Sequence, residues 1–272
     1  MLRRITQKVW RGLRWRLFDV VEEVTSRHRR ELEDQAARHR RELEDVVRRE
    51  TDRVIGLMNE LETRSRRDIL VAGEREAVAD SARFARERML AVPIFFEPCD
   101  TLGYALKLAP EDGMALEFGV YTGRTLTAIA AARNGREVYG FDSFQGLPED
   151  WRSPLRAGTF RTDSPPEVEG AEIVVGMFAD TLPGFLAEHP GPVAFLHLDA
   201  DLYSSTRTVL EHVGPRLRPG SVVLFDEYFN YLGWEQHEHR AWQEFVERTG
   251  IRFRYEAYTA NNEQVVARAT GV

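Results

Sequence analysis

Cysteine is nearly absent from this chain: Cys99 stands alone among 272 residues, and lysine occurs only at Lys8 and Lys107. A single thiol excludes an intrachain disulfide and fits a reducing compartment. No CxxC or other catalytic-cysteine signature surrounds Cys99, so it reads as a small packing residue. No apolar run approaches the ~20 residues of a membrane span. Nor does an apolar segment precede a small-residue cleavage site, so a cytoplasmic location is expected. Proline is missing before Pro93, which leaves the first ninety residues without the strongest helix breaker. Basic charge is scarce in the remainder. Residues 1–90 hold 22 Lys+Arg against 18 Asp+Glu, whereas residues 91–272 hold 15 against 26. So acidic a body is a poor partner for nucleic acid, and it has no (N/D)PPY-type motif.

What the first ninety residues do contain is a repeat. RHRRELED occurs at 27–34 and again at 38–45, a period of 11 that corresponds to ~3.67 residues per turn. Val21, Leu32, Leu43 and Val54 share one line at that period, and Thr25, Ala36, Val47 and Met58 a second. A third line, Leu17, His28, His39, Glu50 and Leu61, mixes apolar and polar residues. The pattern describes a long helix whose stripe calls for another copy of itself, a coiled coil and hence a homo-oligomer. A single solvated charged helix is the alternative reading. Residues 1–18 carry six basic side chains and no acid, with Leu2, Ile5, Val9, Leu13 and Leu17 at helical spacing. Such a start suits peripheral contact with an anionic membrane surface, or simply the first turns of the coiled coil. Two domains are expected, this segment over 1–90 and an α/β body over 91–272.

From Met114 onward, short apolar strands alternate with helical stretches, the pattern of a doubly wound sheet. Strands are expected at 115–119, 137–141, 172–175, 193–198, 221–225, 251–258 and 264–268. Helices are expected at 124–133, 181–189, 204–217 and 237–249. Five parallel strands would precede an antiparallel hairpin closed by Thr-Ala-Asn-Asn.

Two strand ends carry acids: FLHLDADLY (195–203) and VVLFDEYF (222–229). Ligands of open α/β sheets bind outside the carboxyl ends of their strands. Asp199, Asp226 and Glu227 would meet in one crevice, where three carboxylates repel unless a hard cation lies between them. Capping of the following helices is the simpler alternative for any one of these acids. The first strand runs into LEFGVYTGRT, where Gly119 and Gly123 bracket a turn that lets a ligand approach the backbone. Asp142 closes the second strand, placed to accept the hydroxyls of a ribose. With no third glycine and no Walker lysine, NAD and ATP are disfavoured as the nucleoside-bearing ligand.

LEFGVYTGRT, YGFDSFQGLPEDW, VGMFADTLPGF, HLDADLYSST and LFDEY together resemble the macrocin O-methyltransferase family of class I S-adenosylmethionine-dependent methyltransferases. The resemblance runs from about Pro93 to the C-terminus and leaves the helical segment outside. It implies a Rossmann-like doubly wound sheet of seven strands and methylation of a sugar hydroxyl with S-adenosylmethionine and a divalent metal, usually Mg²⁺. It implies, further, that Glu117, Gly119 and Tyr121 line the methionine end of the cofactor. Asp142, with Ser143, would hold the ribose; Asp180 and Thr181 would lie on the adenine side. Asp199, Asp226 and Glu227 would be the metal ligands, Asp199 serving also as general base. The family often has two aspartates where this chain has Asp226-Glu227, so Glu227 is the departure.

The chemistry is consistent with those residue types. A sugar hydroxyl is a weak nucleophile; a bound metal lowers its pKa, in-line positioning assists displacement, and a carboxylate can take the proton. His197 alternates onto the same strand face as Asp199 and is either a second base or a hydrogen-bonded core histidine. His237 and His239 would touch the acceptor or lie on a solvated face. The Pro/Ser/Arg-rich stretch 151–170 is long enough for a lid, with Trp151 or Phe160 able to stack on a sugar. A catechol-type methyltransferase acting on a small phenol is the competing enzyme; a coiled-coil scaffold with a decayed body is the non-enzymatic alternative.

Overall fold

A computed structural model describes the backbone of residues 2–271 and the side chains of residues 14–271. It divides into two compact units, 1–68 and 69–272. The first is one helix, α1 (Leu2–Arg67). Its side chains from 14 to 67 are exposed, including Val21, Leu32, Leu43 and Val54 of the first apolar line. Local pairs decorate it: Arg53 with Glu50 at 2.9 Å, Arg66 with Glu62 at 2.9 Å, and His39 with Glu42 at 3.7 Å. The side chains of residues 1–13, on which the membrane expectation mostly rests, lie outside the described residues.

The boundary expected near residue 90 falls instead after Asp68 in the contact pattern. The reason is visible in α2 (Ile69–Arg88), which buries Ala77, Ser81 and Ala85. Phe84 packs edge-on against Trp234 at 5.6 Å and Tyr255 at 5.6 Å, and the Asn230 N–H donates to Ser81 Oγ at 2.8 Å.

The body is a mixed α/β sheet of eight strands: β1 (Ile94–Phe95), β2 (Met114–Phe118), β3 (Val138–Asp142), β4 (Glu172–Val175), β5 (Val193–Leu198), β6 (Leu217–Phe225), β7 (Arg252–Thr259) and β8 (Val265–Gly271), in spatial order 1-7-8-6-5-2-3-4. Seven were expected. The extra strand, β1, pairs two residues in parallel with β7, too few for any periodic signal. β8 is antiparallel to both β6 and β7, and the other pairings are parallel.

Every residue of β2 and β5 is buried, as continuous apolar runs require between two helical layers. Alternation along these strands sends Leu116, Leu196 and Leu198 into one core with α5 (Phe178–Glu188), α6 (Tyr203–Val213) and α7 (Glu238–Thr249). Ala115, Phe195 and Leu224 face a second core with α3 (Pro98–Leu108) and α4 (Arg124–Arg133). From β2 the chain winds outward to β3 and β4, and from β5 it winds the other way to β6. The crevice at this reversal is where an open α/β sheet binds ligands.

Candidate active site

The three strand ends meet through backbone bonds. Asp199 N–H donates to Phe118 O at 2.9 Å, and Asp226 N–H to Leu198 O at 2.8 Å. Gly119 sits between them at φ 98°, and a Cβ there would overlap the Asp199 carbonyl oxygen. Only glycine meets both demands. Asp142 shapes the same turn: its carboxylate accepts the N–H of Val120 at 2.9 Å, of Tyr121 at 2.8 Å and of Phe144 at 2.7 Å.

A cavity of about 320 Å³ opens above these ends, and Gly119, Tyr121, Asp142, Ser143, Asp199 and Glu227 of the expected site line it. Asp201 lines it as well, with Gly176, Met177 and Phe178 on one wall. The loop after β3 supplies Trp151, Arg152, Leu155 and Phe160; the Phe160 ring stands edge-on to Tyr121 at 5.7 Å. Arg152 ties that loop to the β7–β8 turn by paired bonds to Glu263 at 2.8 and 2.9 Å. Its guanidinium lies 4.1 Å from the Trp151 ring centroid and 4.2 Å from that of Tyr231.

Three expected positions fall elsewhere. Asp180 and Thr181, expected at a strand end, stand in the first turn of α5, Asp180 exposed. β4 ends at Val175, and the residues reaching the cavity come just after it. Glu117 lies behind the cavity, fully buried, with Oε1 2.9 Å from His197 Nδ1. The register of β2 against β5 puts these two residues opposite each other. His197 is thus a hydrogen-bonded core histidine, with Nε2 3.6 Å from Asp226 Oδ1. Asp226 Oδ1 in turn accepts from Gln264 Nε2 at 2.5 Å. His239 is caged by Trp234, Tyr228 and Phe84 at 4.8, 5.1 and 5.4 Å. His237 stands between Trp151 and Tyr231.

Charge of one sign is concentrated here. Burial, with Asp226 adding to it, pushes the Asp199 carboxyl well above the usual carboxylate range. Burial likewise raises Asp201 to about 7, and Glu227 and Glu238 well above their ordinary values. Asp226 goes the other way: burial opposes its charge, but His197 and Gln264 together hold it below the usual range. Burial also opposes charge on His197, yet the Asp226 and Glu117 carboxylates keep its pKa well above the ordinary value. Glu238, whose Oε2 accepts the Glu227 N–H at 3.1 Å, and Gln264 gave no signal in the sequence; Asp201 did, two residues beyond Asp199 in the same motif.

A divalent metal fits this donor set. One oxygen each from Asp199, Asp201 and Glu227 lies within 4.8 Å of the others, and Glu227 Oε2 is buried without a hydrogen-bond partner. Carboxylate oxygens are the ligands that Mg²⁺, Ca²⁺ and Mn²⁺ take.

Residues 116–228 match the family model described as a methyltransferase domain. The 8-demethyl-8-(2,3-dimethoxy-alpha-L-rhamnosyl)-tetracenomycin-C 4'-O-methyltransferase of Streptomyces olivaceus is 32% identical, over 47% of this chain and 59% of that one. The mycinamicin III 3''-O-methyltransferase of Micromonospora griseorubida is 28% identical, over 47% of this chain and 61% of that one. The match thus spans about three fifths of each relative's length. The crystal structure of CalS11, a calicheamicin methyltransferase, superposes with a TM-score of 0.50 at 26% identity, covering 62% of this chain and 76% of that one. Residues 116–228 are accordingly similar to a methyltransferase domain, and the body shares its fold with a solved methyltransferase.

Proposed function

We propose that this methyltransferase domain moves a methyl group from S-adenosylmethionine to a sugar hydroxyl of a glycosylated natural product or polysaccharide. The observation that carries the reading is one cavity holding both the Asp142-tied glycine turn and a crowd of carboxylates. Both curated relatives bear names of sugar O-methyltransferases. S-adenosylmethionine supplies an electrophilic methyl group on a sulfonium. A divalent cation among Asp199, Asp226 and Glu227, the set the resemblance implies, would lower the pKa of the hydroxyl.

The chain's own residues do the remainder. Asp142 and Ser143 hold the ribose hydroxyls; Asp142 accepts three backbone N–H groups and keeps about one lone pair, on Oδ1, for a further donor. Gly119 and Tyr121 border the methionine end. Met177 and Phe178 take the adenine-side place that the resemblance assigned to Asp180 and Thr181. Asp199 receives the hydroxyl proton as the new carbon–oxygen bond forms. Glu117 acts through His197, fixing the ring between two carboxylates. Helix α1, with its exposed 11-residue apolar line, joins copies of the chain.

A small phenol is the second reading, favoured by Tyr121, Trp151, Phe160 and Phe178 in the cavity wall. The test is turnover of labelled S-adenosylmethionine on a panel of rhamnosides and catechols, run with EDTA and then with Mg²⁺ restored. Label on a rhamnoside, lost in EDTA and regained with Mg²⁺, is the expected result. Label on catechol alone would replace the sugar reading, and full activity in EDTA would remove the cation.

A further inference from the structure

Arg152 has no role in the reading above, yet it is where the loop after β3 is fastened. Residues 147–159 of that loop are closed on themselves. Leu147 N–H donates to Thr159 O and Gly158 N–H to Leu147 O, both at 2.9 Å. Asp150 accepts from Arg156 at 2.6 Å and from the Ala157 N–H at 2.9 Å. Gly146 admits this closure, since a Cβ there would overlap the carbonyl oxygens of Gly158 and Thr159. A loop with adjoining ends and bonds of its own can move as one body.

Two side-chain attachments tie this body to other elements among the described residues. Ser204, at the start of α6, donates to Glu149 at 2.6 Å. Arg152 makes its paired bonds to Glu263 in the β7–β8 turn. The second pair is partly wet, with side chains 27% and 21% exposed, so water can serve both partners when they part. That turn also braces the acids. The Glu263 carbonyl accepts the Tyr228 N–H at 2.9 Å, next to Glu227, and Gln264 holds Asp226. The Arg152 guanidinium lies against the rings of Trp151 and Tyr231, so the same contact sets Trp151 in the cavity wall. Closure has a cost: Trp151 Nε1 and His237 Nδ1 are buried without hydrogen-bond partners. Polar nitrogens of that kind favour a state in which water reaches them.

We propose that residues 147–159 form a lid over the cavity, that the Arg152–Glu263 pair is its latch, and that both are positioning residues holding Trp151 against the acceptor. The acceptor part rests on the methyl-transfer reading above; the latch itself does not. Neither residue is among those placed against the cofactor. Breaking the pair therefore shifts the lid toward its open state without removing a cofactor contact. Association and release then quicken together, and affinity stays near its starting value.

The test is stopped-flow exchange of S-adenosylhomocysteine in the full-length chain, in Arg152→Glu, in Glu263→Arg and in the double reversal. Each single reversal should speed association and release by about tenfold and leave affinity within about threefold. The double reversal should bring both rates back near the parent. If a reversal does not fold, Glu263→Gln should speed both rates in the same sense. High salt should quicken exchange in the parent and leave Glu263→Gln unmoved. With a rhamnoside acceptor, the single reversals should raise KM by about tenfold with kcat changed far less, and the double reversal should restore it. Parental exchange rates in the single variants, affinity lost through faster release alone, or a double reversal no better than the singles would overturn the latch. A parent that exchanges S-adenosylhomocysteine but methylates neither rhamnosides nor catechols would instead bring down the methyl-transfer reading, with the exchange rates still deciding the latch.

Discussion

Helix α1 and the sheet body are built from the same charged residues, and they treat them in opposite ways. Along α1, Arg53 and Glu50 meet at 2.9 Å with side chains 66% and 60% exposed, one turn apart. Such pairs contribute only about 0–1 kcal/mol, because water serves each partner nearly as well. In the body, Asp201 and Glu238 are buried, and Glu117 meets His197 from 80 residues away. There the acids lie near one another, with few cations among them. Acidic composition alone is therefore uninformative about chemistry. Desolvation is the discriminating variable: charge that water could have satisfied supports a helix, while charge removed from water and crowded with its own sign is retained for a ligand.

The sharpest way to break this contrast is Asp199→Asn. Methyl transfer should fall on the order of a thousandfold, the scale of a lost general base, and further than in Glu227→Gln, while calorimetry finds S-adenosylhomocysteine affinity little changed. Turnover close to the parent would reduce Asp199 to scaffolding. A smaller effect, on stability, should come from His239. Burial among aromatic rings, with Arg88 adding to it, lowers its pKa to about 4 from the ordinary 6.5. Above about pH 6.5 the ring is neutral folded or unfolded and has no effect on the balance. As pH falls toward 4 the unfolded chain takes up a proton that the folded chain refuses, so stability declines. A lowering of roughly 2.5 pH units at ~1.4 kcal/mol each bounds the loss at about 3 kcal/mol. Urea melts of His239→Leu should show a flatter acid limb than the parent over this window; an unchanged slope would assign the acid sensitivity to other groups. The smallest effect on chemistry should follow removal of residues 1–68. Turnover on a small soluble glycoside should be largely retained, while light scattering reports a lower oligomer mass. Unchanged mass would leave the exposed 11-residue line without a partner, and loss of turnover in a folded product would tie the helix to the site.

Much of this arrangement was readable from local pattern. The apolar runs ending at Leu198 and Phe225 announced β5 and β6, because a stretch buried on both faces is mostly apolar, with His197 the polar exception in β5. Gly119, Asp142, Asp199 and Glu227 were legible because each closes a strand whose end must face the crevice. The two-residue β1 was not, since pairing with β7 rather than periodicity defines it. Asp180 and Thr181, expected at a strand end, lie in α5 because that helix begins at Phe178, three residues sooner than the pattern suggested. The outward face of α2 resembles the charged helix before it, yet its small residues Ala77, Ser81 and Ala85 mark a buried side.

Period and composition are properties of residues close in the chain, and they were enough for the long helix with its repeat of period 11, the alternating α/β body and the acids at its strand ends. Which acids act together was decided only in three dimensions. Gln264 reaches back 38 residues to occupy Asp226, and Arg152 reaches 111 residues to Glu263. The left-handed turn at Asp201 brings a third oxygen beside Asp199 and Glu227. Burial and hydrogen bonding set the charge and orientation of each group, and both depend on neighbours that the sheet assembles from distant parts of the chain.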